Sequence, residues 1–305
     1  MKIVFAGSPQ FAVPALEKLV ESGKQVIAVI TQPDKPTGRK KILTPTPVKQ
    51  CAQKLGLLVY DFAKIRTEVK TLSKLGADIM ITCAYGQILT EEVLGCFKGG
   101  VWNIHASLLP KFRGASPIQS AILAGESHTG VTVMKTELSL DTGDMLLVKR
   151  CEIGLSTCGE LTSKLSVLGA EAAVEAVELL ERGDCNLLMQ NEAAATYCKK
   201  ISKADGKVDF NRPAAEILRQ IKAFSPEPAA YCNFCGANLN ILDAALGDDG
   251  NGKTGEVVAA DKRGVTVKCG EGTIVITELQ PAGGKRMRAA DFVNGRKIKA
   301  GDVLD

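Results

Sequence analysis

The sequence predicts an α/β protein with two domains, a mostly parallel sheet with helices on both faces followed by a small β-barrel. The first domain is predicted by short apolar segments that alternate with helical segments through the first half of the chain. The second is predicted by short strands that glycines and polar turns separate. The length of 305 residues is enough for two such domains.

The elements of the first domain follow one another in a strand, helix, strand order. A strand over residues 2–6 leads through a turn into a helix over residues 11–22, which Gly23 ends. Further strands are predicted over residues 25–31, 58–60, 79–82, 101–104, 129–135 and 145–152, and further helices over residues 48–55, 68–75, 91–97 and 158–182. In parallel sheets of this kind, ligands bind beyond the carboxyl ends of the strands.

Residues 32–49 are predicted to form a long loop with a positive edge. This segment holds four prolines and the basic residues Lys35, Arg39, Lys40 and Lys41. A solvated connector is one interpretation. A long irregular loop at the carboxyl end of a strand is more often functional, so we expect this loop to bind something.

The alternation of apolar strands and helices becomes irregular after Gly183. We therefore expect a first domain of residues 1–187, a linker over residues 188–206 and a second domain of residues 207–305. The second domain opens with a helix over residues 214–224 and continues with strands over residues 238–243, 255–260, 264–269 and 273–280.

Composition excludes several classes of protein. The formal net charge is +4, and no apolar run approaches the roughly 20 residues that cross a bilayer. The ten cysteines are scattered through the chain, which favours reduced thiols and a cytoplasmic location over a disulfide framework. Cys232 and Cys235 form a single Cys-x-x-Cys pair without a second pair of ligands, so we expect no metal.

Two enzyme classes are disfavoured by the local pattern. The turn after the first strand has one glycine, Gly7, where a dinucleotide-binding turn needs three, so a nicotinamide cofactor is disfavoured. Ser107 lacks the glycines of a nucleophile elbow, which argues against a serine hydrolase.

The most informative residues are Asn103, His105 and Asp141. Asn103 and His105 stand two apart at the end of a strand, so their side chains project to one face. An asparagine can donate to an oxyanion, a histidine can move a proton near neutral pH, and a carboxylate can hold the imidazole and favour its protonated form. Together they predict acyl-type transfer. Alternatively, His105 is a structural residue and Asp141 caps a turn.

These residues belong to a longer pattern. Asn-x-His-x-Ser-Leu-Leu-Pro-x-x-Arg-Gly-x-x-Pro extends from Asn103 to Pro117, and Leu-Asp-x-Gly-Asp from Leu140 to Asp144. This pattern resembles the folate-dependent formyltransferases. Residues 5–12, 200–206 and 284–295 are similar to the branch of that family that acts on aminoacylated tRNA, so the resemblance covers nearly the whole chain.

The resemblance implies a Rossmann-like catalytic domain joined to an OB-like tRNA-binding domain. It implies transfer of the formyl group of 10-formyltetrahydrofolate to the α-amine of methionine on initiator tRNA, without a metal. Asn103 and His105 would stabilise the tetrahedral oxyanion. Asp141 would hold the imidazole and help proton movement toward the leaving nitrogen. The expected partners are initiator methionyl-tRNA and folate, with no membrane, and we expect a monomer.

The resemblance also implies contacts residue by residue. Expected folate contacts come from Tyr85, Gly86, Gln87, Ile88, Leu89, Ser107, Leu108, Leu109, Pro110, Leu138, Leu140, Thr142, Gly143 and Asp144. Expected tRNA contacts come from Arg39, Lys40, Lys41, Lys285, Arg286 and Arg288. The crowding of cations near the C-terminus independently favours phosphate binding.

Three other functions stay open. A formyltransferase for an amino sugar or purine precursor would keep the trio without needing a basic C-terminal domain. A formyltetrahydrofolate hydrolase would pass the formyl group to water. An inactive RNA-binding protein would tolerate loss of Asn103 or His105, yet both are present. The departures from the family pattern, at residues 224–231 and at Ser120, concern domain packing and tRNA fit.

Overall fold

The computed structural model describes residues 1–38 and 40–305. Contacts divide the chain into two compact units. The first unit comprises Met1–Pro117, His128–Glu152 and Thr162–Cys198, and the second comprises Ile118–Ser127, Ile153–Leu161 and Lys199–Asp305. The limits of the predicted domains and linker stay a prediction. Among the described residues, no helix is long and apolar enough to span a membrane.

The first unit contains a central sheet and short strands outside that sheet. Its strands are β1 (Lys2–Gly7), β2 (Gln25–Thr31), β3 (Lys35–Thr37), β4 (Ile42–Thr44), β5 (Val59–Asp61), β6 (Ile79–Cys83), β7 (Val101–His105), β8 (Arg113–Gly114), β9 (His128–Lys135), β10 (Met145–Glu152) and β11 (Tyr197–Cys198). The central sheet has the order β10-β9-β7-β6-β1-β2-β5. The strands from β7 to β5 run parallel, whereas β9 and β10 are antiparallel to their neighbours. The predicted mostly parallel α/β sheet is therefore confirmed.

The chain up to residue 206 also forms helices. They are α1 (Val13–Glu21), α2 (Pro47–Lys54), α3 (Val69–Lys74), α4 (Glu91–Leu94), α5 (Pro117–Leu123) and α6 (Cys158–Arg182), with 3-10 turns at Gln10–Ala12, Ile65–Thr67, Glu192–Ala194 and Lys203–Gly206. Helix α2 starts where Thr46 caps it, because the Thr46 hydroxyl accepts a hydrogen bond from the backbone N–H of Lys49.

The burial of the strands explains why the sequence pattern was informative. Five of the six residues of β1 and all five of β6 are buried, so both strands are apolar along their length. A parallel sheet with both faces covered requires such runs. On β7 the side chain of Asn103 is partly exposed, whereas the other four residues are buried.

The predicted loop over residues 32–49 is wrong in part. Strands β3 and β4 form an antiparallel hairpin in which Lys35 pairs with Thr44 and Thr37 with Ile42. The prolines misled the prediction because an exposed edge strand tolerates proline more readily than a central strand. Arg39 lies outside the described residues.

The second unit is mainly antiparallel. It contains α7 (Ala214–Phe224), β12 (Ala230–Phe234), β13 (Ala237–Leu246), β14 (Val257–Asp261), β15 (Gly264–Lys268), β16 (Thr273–Pro281), β17 (Met287–Arg288) and α8 (Ala289–Asn294). The strand order is β12-β13-β16-β15-β14, and β17 also pairs with β16. Buried side chains of α7, α8 and the sheet form one apolar core. The predicted second β domain is confirmed.

Candidate active site

His105 ends strand β7 and is held from both sides. Its side chain is 6% exposed, and in the sheet its residue pairs with Thr132 of β9. The imidazole Nε2 lies 3.0 Å from the backbone carbonyl of Phe112. A carbonyl only accepts, so Nε2 carries the hydrogen in the neutral ring. Nδ1 is then the nitrogen that is free to take up or release a proton.

Asp141 faces that nitrogen. One carboxylate oxygen, Oδ2, lies 3.7 Å from His105 Nδ1 and accepts a hydrogen bond of 2.8 Å from the backbone N–H of Gly114. The carboxylate therefore has a fixed backbone donor on one side and the imidazole on the other.

Asn103 is oriented by Thr82, its neighbour across the sheet. The two residues are paired in register between β6 and β7, and the Thr82 hydroxyl donates to Asn103 Oδ1 at 3.0 Å. Because this bond occupies the amide oxygen, the Nδ2 hydrogens are left to donate elsewhere. The arrangement can stabilise negative charge on an oxygen placed beside Asn103.

The loop that carries Asp141 begins at the opposite end of β7. Strand β9 ends at Lys135, which pairs with Trp102, three residues before His105. Three residues of strand span about 10 Å. The loop over residues 136–144 therefore has to fold back along the sheet for Asp141 to reach the imidazole.

The glycine of this loop is required for close packing. The residue with a left-handed backbone is Asp141, at φ 53°, and not Gly143. A Cβ on Gly143 would lie 1.8 Å from the carbonyl oxygen of Lys135. Glycine is thus required because the returning loop passes directly against the end of β9.

A buried arginine organises the segments around the loop. The side chain of Arg113 is fully buried, and its guanidinium donates to the Glu192 carboxylate, to Gln190 Oε1 and to the Tyr197 hydroxyl. The hydrogen bonds from Arg113 hold the pKa of Glu192 below its ordinary value. This arginine, part of the sequence motif, is therefore engaged in structure.

Ser107 is also engaged in structure. Its hydroxyl donates to the carbonyl of Lys111 at 2.6 Å, and its own carbonyl accepts from the Thr132 hydroxyl at 2.7 Å. The same Thr132 oxygen accepts from the N–H of Leu109. These bonds shape the loop after β7.

The expected folate residues differ in how far they are buried. The side chains of Tyr85, Ser107 and Leu109 are buried, so these residues can contact a ligand mainly through their backbone. Ile88, Leu138 and Leu140 are 86%, 65% and 61% exposed, which is unusual for large apolar side chains. Leu108, Pro110, Thr142 and Asp144 are half-buried, Leu89 and Gly143 are buried, and the Gln87 amide binds the backbone of Phe62 and Ile65.

The expected tRNA residues are at the surface. Lys40, Lys41, Lys285, Arg286 and Arg288 are exposed. Arg286 is paired with the carboxylate of Glu278 on β16, so its charge is partly neutralised. Sequence reasoning did not anticipate this pair because Glu278 lies in a different strand.

A cavity of about 750 Å³ lies in the first unit. Residues of α4, the start of β7 and the loop after β9 line it, among them Leu94, Val101, Trp102 and Leu138. None of the three candidate catalytic residues lines this cavity. Within residues 1–38 and 40–305, no group of three or more His, Cys, Asp or Glu side chains could hold a metal ion.

Thr82 and Gln190 are site residues that sequence reasoning missed. Thr82 looked like one polar residue of a buried strand, and Gln190 stands in the predicted linker. Only strand register could have pointed to Thr82, because it pairs with Asn103. No local signal marks Gln190, which contacts residues 47 to 77 positions earlier in the chain.

Comparisons with known proteins agree with the fold and the motif. The formyl transferase family matches residues 1–177, and the formyl transferase C-terminal domain matches residues 200–297. A methionyl-tRNA formyltransferase of Neisseria meningitidis serogroup A is 44% identical over 309 residues, which cover 100% of both chains.

Two solved structures resemble the chain in fold. An N-formyltransferase from Helicobacter canadensis, in complex with folinic acid and dTDP-3-aminofucose, aligns with a TM-score of 0.70 and 19% identity, covering 94% of this chain and 100% of that chain. Methionyl-tRNA formyltransferase from Clostridium thermocellum aligns with a TM-score of 0.57 and 14% identity, covering 81% and 94%.

Proposed function

The chain belongs to the formyl transferase family, and we propose that it transfers the formyl group of 10-formyltetrahydrofolate to the α-amine of methionine on initiator tRNA. The observation that carries the proposal is the pairing of Asp141 with His105 at the end of β7, two residues after Asn103 on the same strand. The full-length identity of 44% to a methionyl-tRNA formyltransferase supports the choice of acceptor.

The reaction follows from the geometry of the trio. The neutral methionine amine attacks the formyl carbon, a new C–N bond forms, and the carbonyl oxygen becomes an oxyanion. Asn103 Nδ2 and protonated His105 Nδ1 donate to that oxygen. The intermediate then collapses, the bond to N10 of the folate breaks, and the proton lost by the amine is delivered to N10. His105 relays it, because the imidazolium gives its Nδ1 proton to N10 and then takes up the proton that the amine loses, and Asp141 stabilises the imidazolium form.

The folate donor fits the loops that flank the trio. Ile88 follows β6, and Leu138 and Leu140 lie on the loop that carries Asp141. Their exposed side chains offer apolar surface that an aromatic pterin would cover, and each Å² of apolar surface buried contributes about 25 cal/mol to the free energy of binding. The carbonyls and N–H groups of residues 85–89 and 141–144 would supply the polar contacts.

The tRNA is proposed to contact exposed cations. Lys40 and Lys41 lie beside the β3–β4 hairpin, and Arg39 belongs to the same segment of the sequence. Lys285 and Arg288 lie near β17 in the second unit. Each phosphate that these side chains neutralise releases counterions, so binding should weaken steeply with salt. We also propose that the protein is a monomer and that it acts in the cytoplasm.

A salt titration tests the tRNA contacts. Replacing Lys285 and Arg288 by alanine should weaken tRNA binding and flatten the salt slope by about 1 to 2, while folate binding is unchanged. Adding Arg286→Ala should have less effect, because Glu278 already neutralises that charge. The matched control replaces the exposed Lys70 and Lys74 of α3. Equal slopes in all variants would contradict the phosphate contacts.

An amino sugar is the second candidate acceptor, because the H. canadensis structure of similar fold contains dTDP-3-aminofucose. The test presents 10-formyltetrahydrofolate with methionyl-tRNA, with a dTDP-amino sugar or with water alone. We expect formylmethionine and one tetrahydrofolate per formyl group. Formylation of the sugar, or tetrahydrofolate release without an acceptor, would overturn the proposal.

A further inference from the structure

We propose that Gln190 is a positioning residue, which holds the loop of Asp141 in the conformation that presents the carboxylate to His105. The kinetic test of this inference rests on the proposed function, whereas the inference itself is argued from hydrogen bonds. Gln190 Nε2 donates to the carbonyl of Asp141 at 2.9 Å and to the carbonyl of Gly143 at 2.7 Å.

The chemistry around Gln190 fixes its amide in one orientation. Its Oε1 accepts from Arg113 Nε at 3.0 Å and from Nη2 at 2.8 Å. A guanidinium only donates and a backbone carbonyl only accepts, so the rotated amide would face donors with donors and acceptors with acceptors. Gln190 is therefore a rigid link between a buried arginine and the backbone on both sides of Thr142.

The segment that carries Gln190 is itself anchored. Leu188 exchanges two backbone hydrogen bonds of 2.9 Å with Met145, the first residue of β10. Beyond Gln190, β11 pairs in parallel with β8. The glutamine thus lies between two fixed points, and it can resist movement of the loop.

The loop needs this support because its conformation is unfavourable. Asp141 has a left-handed backbone at φ 53°, a conformation that residues other than glycine seldom adopt. In this conformation of the loop, its carboxylate reaches both the N–H of Gly114 and the imidazole of His105. Without Gln190 the carbonyls of Asp141 and Gly143 would lose the donor that offsets the strain.

Two substitutions distinguish the hydrogen bonds that Gln190 accepts from Arg113 from those that it donates to the loop. Gln190→Glu keeps an acceptor for Arg113 but removes both donors to the loop, and Gln190→Met removes both sets of bonds at similar length. We expect each to lower kcat for formyl transfer about tenfold, because a misplaced catalytic group costs up to about a hundredfold. The KM for tRNA should stay within about twofold.

Two control variants test the alternative of general destabilisation. In the second unit, Gln220 Nε2 bridges the carbonyls of Asp205 and Lys207 in the same way, so Gln220→Met removes a matched pair of bonds. Glu192→Gln removes a charge beside Arg113 but leaves Gln190 in place. For each folded control protein we expect a kcat within about twofold of wild type.

A double-mutant cycle distinguishes positioning from mere structure. If Gln190 acts through Asp141, Gln190→Glu should lower kcat less than about twofold in an Asp141→Asn background. A full tenfold loss in that background, or an unchanged kcat in the single variant, would overturn the inference.

A readout without catalysis covers the case in which the proposed function fails. The chain has two histidines, so imidazole ¹⁵N spectra are simple, and His128→Gln assigns them. The Nδ1 resonance of His105 should move in the same direction in Gln190→Glu as in Asp141→Asn. An unmoved resonance in Gln190→Glu would overturn the positioning role whatever reaction the wild type catalyses. A wild type that forms no formylmethionine would overturn only the proposed function.

Discussion

Two regions of the first unit bring side chains to the candidate site, and they are built in opposite ways. Asn103 and His105 lie on a central strand that backbone pairing with β6 and β9 fixes on both sides. Asp141 lies on a loop outside the sheet, where the N–H of Gly114 holds its carboxylate and Gln190 holds its backbone carbonyl. The strand is positioned by pairing of main chains, whereas the loop depends on individual side chains.

The difference predicts how each region responds to mutation. A strand keeps its geometry when one side chain is removed, because its neighbours hold the backbone. A loop with a left-handed residue loses geometry when a single support is removed. Variants on β7 should therefore remove chemistry and leave structure, whereas variants around the loop should disturb both.

The largest effect is expected on the strand. His105→Ala and Asn103→Ala should each lower kcat at least about a hundredfold, the usual scale for loss of an oxyanion donor or acid/base group. Circular dichroism should show an intact fold. Ile104→Val is the matched control on the other face of β7 and should cost about 1 kcal/mol of stability without loss of rate. Near-normal turnover in either alanine variant would remove that residue from the mechanism.

The next effect is expected from Gly143→Ala. The added Cβ would lie 1.8 Å from the carbonyl of Lys135, so the loop has to move. We expect kcat to fall about tenfold or more and the free energy of unfolding to fall by about 1 to 3 kcal/mol. Gly95→Ala, whose Cβ would meet its nearest atom at 3.3 Å, is the control. If the two variants have the same kcat and the same free energy of unfolding in urea, the loop does not depend on glycine at position 143.

A smaller effect is expected from Thr82→Val. The substitution removes the hydroxyl that orients Asn103 but keeps the β-branched shape in a buried strand. Because β7 already fixes the backbone of Asn103, kcat should fall by only about threefold, less than for Gln190→Glu, and Thr82→Ser should restore it. A loss larger than that of Gln190→Glu in the same assay would mean that the strand also depends on a single side chain.

The smallest effect concerns Glu192. Its pKa is lowered by the hydrogen bonds from Arg113, so its ionised form favours the native state above the pKa that it has in the unfolded chain. This contribution is lost as pH falls through the lowered pKa of the folded state. Thermal melts should show wild type more stable than Glu192→Gln at pH 7, with the difference becoming smaller as pH falls through the lowered pKa. A difference that grows toward low pH would contradict the sign.

The sequence could predict the strand region but not the supports of the loop. Strand β7 was predictable because alternation places Asn103 and His105 on one face, a property of neighbouring residues. Asp141 could be proposed from the chemistry of its carboxylate but not placed beside His105, since a turn has no periodicity that would orient its side chain. The partners Thr82 and Gln190 depend on strand register and on a segment folded back onto the loop, which no local pattern encodes. The hairpin of β3 and β4 was missed because its prolines suggested a loop.

The most direct test of the account is a single-turnover measurement of formyl transfer by Asp141→Asn. We propose that the loop places the carboxylate of Asp141 beside His105 at the end of β7 and that the reaction needs the charge of this carboxylate. Asparagine keeps the shape and an acceptor for the N–H of Gly114 but lacks the charge. We expect the rate of formylmethionine formation to fall at least about tenfold while the Kd values for folate and tRNA stay the same. An unchanged rate would assign Asp141 to the structure of the turn alone.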